Sequence, residues 1–465
     1  GNPYLGVMLP YTPLHFLLLD DLGIPLIATS GNLSEEPICI DEHDALQRLS
    51  GIADYFLVHD RPIARPVDDS IARVAAGREM LVRRARGFAP LPIPVRTSGH
   101  AMFAMGGHLK NTVAISDGHN VFASQHLGDL ETLESVKAFE RAQKDLRHLC
   151  EQKIETVLCD FHPDYTSTRQ AEEMANVKVV KIQHHVAHAW SCMADNGLSG
   201  PVTAVVWDGT GYGLDGTVWG GEFLNVSANS FERVGRFLPF PLPGSESAVR
   251  NPNRSALGLL YALYGDSVFV QHDWISRLGL DAEAGVLRTM LKNGFQCPLT
   301  SSVGRLFDGV AALVGLRTTV SFEAQAAMDL EFFIPDGACK NSYTFTVTHP
   351  TRDPLKTQTD PRMEIDWRPM LREILTDIKN GSDKGAVSAK FHNTLCETAV
   401  AAARIGNLTR VVLSGGCFQN KYLLEETVRR LRHGGFEPYW HQRVPANDGG
   451  ISVGQIFAAS GIGGL

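Results

Sequence analysis

Residues 202–216 read VTAVVWDGTGYGLDG: an apolar run, then Asp208, then glycines at 209, 211 and 213. Valines in such a run favour a buried strand. Bare glycines after it let backbone N–H groups approach a phosphate closely. The same plan, a strand-like run closing on a Gly-rich turn, recurs at residues 102–111 (MFAMGGHLKN) and 409–420 (TRVVLSGGCFQN). Between and beyond these turns, apolar strands alternate with helical segments, which predicts an α/β fold. The three turns share only a plan, without a fixed-period repeat.

Outward from that frame, residues 132–150 read as a long amphipathic helix and residues 245–335 as mainly helical. Residues 337–365 are polar and turn-rich, an expected exposed insertion. Residues 1–90 read as a small α/β unit. There, 13–21 (PLHFLLLDD) predicts a helix, 24–28 (IPLIA) a buried strand, 41–50 a capped helix and 55–59 a strand. The alternating prolines of 89–94 (APLPIP) predict an extended linker, because each Pro disfavours a helix before it.

At 465 residues, the chain has room for about three domain-sized units. Lys+Arg of 43 against Asp+Glu of 51 gives a net charge of −8, which argues against bulk nucleic-acid binding. No apolar run approaches the roughly 20 residues of a membrane span, and no basic, signal-like start is present. The 8 Cys include no C-x-x-C pair, which speaks against a Cys-based zinc site and for reduced thiols in the cytoplasm.

His184 and His188, in QHHVAHA (183–189), stand at i, i+4. On a helix both imidazoles share a face and can share a cation; two unrelated histidines are the plainer reading. A cation site needs further ligands. Asp208 ends a strand-like run, where it can hold a cation or begin a tight hairpin turn. Asp448, in PANDGG (445–450), can bind metal or cap the helix that follows. Gly415 and Gly416, before a predicted helix start, suit an anion or a plain strand–helix turn. Cys417 reads as a small packed residue. His108 and Lys110 can face a phosphate or water. Arg61, Arg65, Arg83, Arg84 and Arg86 suit phosphate or a salt-bridged surface.

Taken together, the motifs MGGHLKNT (105–112), SQHLGDLE (124–131), CDFHPDY (159–165), QHHVAHA (183–189), DGTGYGLDGTVWGGE (208–222), SSVGRLFDGVAALVG (301–315), FEAQAAMDLE (322–331), LSGGCFQN (413–420) and NDGGISVGQ (447–455) closely resemble the HypF family, carbamoyltransferases of nickel–iron hydrogenase maturation. Upstream, residues 6–19, 28–37 and 61–74 resemble the second half of that family's YrdC-like domain. The resemblance implies a partial YrdC-like α/β domain (1–95), then an actin/Hsp70-type ATPase-fold domain (96–465) in two lobes, about 102–200 and 201–465. It implies that ATP and carbamate form carbamoyl-adenylate, the carbamoyl group deriving from carbamoyl phosphate. Transfer then goes to the C-terminal Cys thiolate of a HypE-type partner, with no nucleic acid or membrane involved. By position, His184, His188, Asp208 and Asp448 resemble ligands of a divalent metal (Mg, Zn or Fe). Gly209, Gly211, Gly213, Gly415, Gly416 and Asn420 resemble nucleotide-cradling residues, with Lys110 and Asn111 near phosphate. Thr29, Ser30, Asn32, Arg65 and Arg83 resemble adenylate-site residues of the YrdC-like part. The family's acylphosphatase and zinc-finger motifs do not occur, so this chain alone is not expected to hydrolyse carbamoyl phosphate. Where the family shows Glu-Pro-Trp-Arg, this chain has Asn251-Pro252-Asn253-Arg254. The metal and Gly motifs are shared by small-molecule O-carbamoyltransferases of antibiotic biosynthesis, and a non-catalytic nucleotide-binding fragment is the other alternative.

Overall fold

A computed structural model describes residues 2–34, 36–94, 100–151, 153–228, 230–270, 273–351 and 359–461. Among these, two mixed sheets and a short hairpin organise the chain. The first sheet runs Ile93–Pro94, Asn120–Ala123, Ala114–Ser116, Met102–Ala104, Thr156–Asp160, Lys178–Ile182, in that spatial order. Side chains alternate across a strand, and the two faces divide accordingly. Met102, Ala104 and Leu158 pack with Val453 and Ile456 of the C-terminal helix Ile451–Gly461. Phe103, Val157 and Cys159 pack with Phe139 and Leu146 of the helix Leu133–Cys150. That helix is capped by Thr132, which accepts from Ser135 N–H.

The second sheet has the strand Val202–Tyr212 near its centre, flanked by Val218–Ser227 and, in parallel, Arg410–Ser414. Its alternation is equally clean. Val205 and Trp207 face the larger core with Phe223 and Leu413. Ala204 and Val206 face the helix His184–Asp195 and Ile451. The helix His184–Asp195 is therefore wedged between the second sheet and the C-terminal helix, and each of its 12 residues is buried. The result is a two-lobed α/β fold of the actin/Hsp70 type. The C-terminal helix, though last in sequence, packs on the first lobe's sheet.

Four expectations are corrected. Residues 24–28 and 55–59 are not strands and lie mostly exposed, with Ile27 at 103%. An apolar run becomes a strand only beside a hydrogen-bonding neighbour, and none of the described residues supplies one there. Residues 337–365 are not wholly an exposed insertion. Met363–Asp366 pairs in parallel with Ser230–Phe237, burying Met363 and Ile365, and Thr346–Thr348 extends that edge; residues 352–358 lie outside the described ones. In the expected linker, Ile93–Pro94 forms the edge strand of the first sheet, where a missing N–H is tolerated. Finally, the segment after Ser414 begins with a 3₁₀ turn, Gly416–Gln419. Its α-helix, Lys421–His433, starts only after the Asn420 cap.

Of the first 66 residues, the helices Pro13–Leu22 and Glu42–Leu49 do form, capped by Thr12 and Asp41. The hairpin Ile71–Ala75 and Arg78–Arg83 follows and docks on the second lobe. Ala75 and Met80 enter its core, Arg73 donates to the Gln419 carbonyl (3.0 Å), and Asn447 donates to the Val82 carbonyl (3.0 Å).

Candidate active site between the lobes

The helix His184–Asp195 starts where Gln183 accepts a hydrogen bond from Val186 N–H. His184 and His188, one turn apart, project the same way. The strand Val202–Tyr212 passes this helix so closely that a Cβ on Gly211 would stand 2.8 Å from His184 Cδ2 and 2.5 Å from His185 Cε1. Only glycine fits there, and the approach sets Asp208 beside the histidines. The fourth group arrives from the loop before the C-terminal helix. Asn447 accepts from Gly449 N–H and so serves as the cap, which leaves Asp448 free to face the histidines.

His184 Nε2 lies 3.5 Å from Asp208 Oδ2 and 3.6 Å from Asp448 Oδ1; His188 Nε2 lies 3.5 Å from each. One ligand atom from each residue falls within 4.8 Å of all the others. All four residues are buried, and Nε2 of each histidine makes no hydrogen bond. Two imidazoles and two carboxylates with unpartnered nitrogens turned inward fit a divalent cation. Burial opposes charge on His184, yet Asp448 and Asp160 hold its pKa well above the ordinary histidine value. Burial likewise opposes charge on His188, which Asp208 and Asp448 raise. Against the same burial, His184 and His188 hold Asp208 well below the usual carboxylate range, and His184 draws Asp448 to about 2. The quartet thus favours positive charge beside two carboxylates.

The sequence reading missed Asp160, although its motif was in view. Asp160 Oδ2 lies 2.8 Å from His184 Nδ1, and both groups are fully buried. A carboxylate on Nδ1–H turns the other nitrogen's lone pair toward a cation. Nothing local in CDFHPDY marks that pairing, because it depends on two adjacent parallel strands and the helix after them.

The Gly-rich turns pin this arrangement. Gly416 N–H donates to Asp208 Oδ1 (3.0 Å), and Gly415 N–H donates to the Ala446 carbonyl (3.0 Å), joining the Asp208 and Asp448 loops. Gly209 lies beside Arg305 and Glu323. Gly213 opens the tight turn to Thr217, so residues 208–213 are both a hairpin arm and part of the site. Asn111 Nδ2 holds the Met105 and Gly107 carbonyls, shaping the loop whose Gly107 abuts Asp448. Asn420 caps its helix and donates to His392 Nε2. Lys110 reaches across the cleft to pair with Glu323. Burial opposes its charge, but Glu323 and Asp448 hold its pKa above the usual lysine value. His108 stacks on Tyr165 at 5.1 Å. Burial, with Asp208 nearby, pushes the Cys417 thiol well up, in keeping with a packed residue.

The five YrdC-part residues lie apart. Thr29 and Ser30 are exposed, Asn32 binds local carbonyls, Arg65 approaches Asp145 (3.6 Å), and Arg83 acts on Asp68. Among the described residues, no hydrogen bond or ion pair joins them to the quartet. All eight cysteines are free, and no helix of the described residues is long and apolar enough to cross a membrane.

Comparison with known proteins agrees with this architecture. Residues 204–455 match the family model "Carbamoyltransferase, Kae1-like Domain, second subdomain", and residues 97–195 match "HypF Kae1-like domain". Residues 1–85 match the Sua5/YciO/YrdC model, described as "Telomere recombination". Carbamoyltransferase HypF of Synechocystis is 43% identical over 98% of this chain and 60% of its own length. That of Rhizobium leguminosarum is 37% identical over 98% and 58%. The chain thus spans about three fifths of these curated relatives. A crystal structure of full-length HypF, in a phosphate- and nucleotide-bound form, superimposes with a TM-score of 0.89 at 39% identity, covering 98% of this chain and 70% of that one. This chain belongs to the HypF carbamoyltransferase family.

Proposed function

We propose that this chain transfers a carbamoyl group from carbamoyl-adenylate to the C-terminal cysteine thiolate of a HypE-type acceptor, toward the cyanide ligands of nickel–iron hydrogenase. The observation that carries the reading is the convergence of His184, His188, Asp208 and Asp448 in the interlobe cleft of a carbamoyltransferase-family chain. The nucleotide-bound state named for the related crystal structure supports nucleotide binding by this chain. In this reading residues 1–95 are the YrdC-like part and 96–465 the transfer part.

The adenylate would lie along Gly209, Gly211, Gly213, Gly415 and Gly416, with Lys110 turned to its phosphate. His184, His188, Asp208 and Asp448 would hold a divalent cation, which would supply Lewis-acid charge to the reacting mixed anhydride. Asp160 keeps His184 in the tautomer that presents Nε2, and Gly416 keeps Asp208 from rotating away. The thiolate adds to the carbamoyl carbon. An S–C bond forms, the C–O bond to the phosphate breaks, and the electron pair leaves with AMP. Since the thiol is the acceptor's, Cys417 has no covalent role.

A narrower reading, transfer without adenylate synthesis, is favoured by two observations: the described residues of 2–66 form no strand, and Thr29 and Ser30 are exposed. One experiment tests both. Carbamoyl-adenylate, or alternatively ATP with carbamate, is supplied to the chain with a divalent cation and the acceptor, and the acceptor's intact mass is read. One added carbamoyl group, absent with His184→Ala and Asp448→Ala, supports transfer. Success with the adenylate alone supports the narrower reading. No transfer from either donor, with nucleotide still bound, overturns the proposal.

A further inference from the structure

Beside the quartet lies a buried cation whose ion pair leaves its donors without hydrogen bonds. The helix Val303–Leu313 is capped by Ser302, which accepts from Arg305 N–H (3.1 Å). The Ser302 hydroxyl also lies 2.7 Å from the carbonyls of Asp208 and Gly209. The helix start is thereby pinned to the residue pair that opens the Gly-rich turn. The fit is tight: a Cβ on Gly304 would stand 2.7 Å from Gly209 Cα.

Arg305, the next residue, is only 4% exposed. Its Nη2 lies 3.5 Å from where a Cβ on Gly209 would be. Its Nη1 is 3.0 Å from Asp308 Oδ2, yet neither atom is in a hydrogen bond, and Nε has none either. A buried guanidinium whose donors go unused is costly, and a ligand can complete it. The planar fork matches an oxyanion, and the first turn of the helix adds partial positive charge on the same side. Lys110 contributes a further cation from the opposite lobe, through Glu323, whose Oε1 lies 3.8 Å from the same Gly209 position.

We propose that Arg305 is a phosphoryl-binding residue of the cleft, gripping the phosphate of a nucleotide laid along Gly209 beside the quartet. The assignment rests on the nucleotide reading given above. It makes Arg305 a direct contact to the donor rather than a structural ion pair with Asp308.

Calorimetric titration with AMP and with adenosine, in saturating Mn²⁺, isolates the phosphoryl contribution. Arg305→Met is expected to weaken AMP by about tenfold or more and leave adenosine unchanged. Arg305→Lys should recover part of the loss. Because Arg305→Met leaves Asp308 unpaired, the double variant Arg305→Met/Asp308→Leu, which removes both charges, is measured alongside. Melting temperature and Mn²⁺ affinity report whether each variant is folded. AMP affinity within twofold of wild type in folded variants overturns the Arg305 assignment and leaves the nucleotide reading intact. Absence of AMP binding in the wild type overturns both.

Discussion

Two apolar helices of this chain have opposite fates. Pro13–Leu22 (PLHFLLLDDL) carries five leucines and a phenylalanine, and none of its residues is buried. His184–Asp195 (HHVAHAWSCMAD) is less uniformly apolar and is buried throughout. Both have a side-chain cap, Thr12 and Gln183 respectively. Capping and composition therefore decide that a helix forms; tertiary neighbours decide whether its apolar face stabilises anything. The second helix has a sheet on one side and the C-terminal helix on the other, and that enclosure allows histidines and carboxylates to meet away from water.

The largest effect should come from the larger core on the other face of that sheet. Phe391 is fully buried and meets Phe307 edge-on at 5.0 Å. Phe391→Ala is expected to lower unfolding free energy by about 3–5 kcal/mol in urea denaturation. A loss under 1 kcal/mol would mean that the second lobe is much looser than its packing implies.

Next come the site variants, read by Mn²⁺ or Zn²⁺ titration rather than turnover. Asp448→Asn removes a ligand and should cost the most affinity. Asp160→Asn removes only the carboxylate on His184 Nδ1 and should cost about 10–100-fold. Equal affinity of Asp160→Asn and wild type would show that the helix alone orients His184.

How far the sequence reveals each part follows from the same contrast. The capped helix from Asp41 and the i, i+4 histidines are local signals, and each lies where its local pattern puts it. Asp208 and Asp448 stood out because glycines surround them, and those glycines prove to be close-approach and loop-joining positions. Asp160 and Arg305 were unreadable as site residues, since their roles arise where separate elements touch. The expected strands at 24–28 and 55–59 failed for the complementary reason: their apolar runs were right, but a strand is a property of a pair.

Titration separates the two regions as well. Asp308 lies in the enclosed part, where burial lifts its carboxyl to about 6 despite the pull of Arg305. A carboxyl raised on folding holds its proton more tightly in the folded chain. Its contribution to stability is full below its ordinary pKa of about 4 and is lost as pH rises through about 6. Wild type should therefore lose stability from pH 4 to 7 relative to Asp308→Asn, by on the order of 1–3 kcal/mol. Parallel stability profiles for the two proteins would mean that Arg305 fully compensates the buried charge.

The smallest expected effect probes the first helix. Phe16 is 59% exposed, so Phe16→Ala should change stability by less than about 0.5 kcal/mol. The same substitution type would then span nearly the full range of packing energies between Phe391 and Phe16, within one chain. Limited proteolysis followed by mass spectrometry gives an independent reading, because a segment that buries little opens at little cost. First cleavages should fall before residue 67, with the hairpin from Ile71 onward protected by Asn447 and the second-lobe core. If Phe16→Ala instead costs more than 1 kcal/mol, or the early segment resists cleavage, its apolar face is covered in solution. The difference between the two helices would then lie in what each is packed against, and no longer in whether it is packed at all.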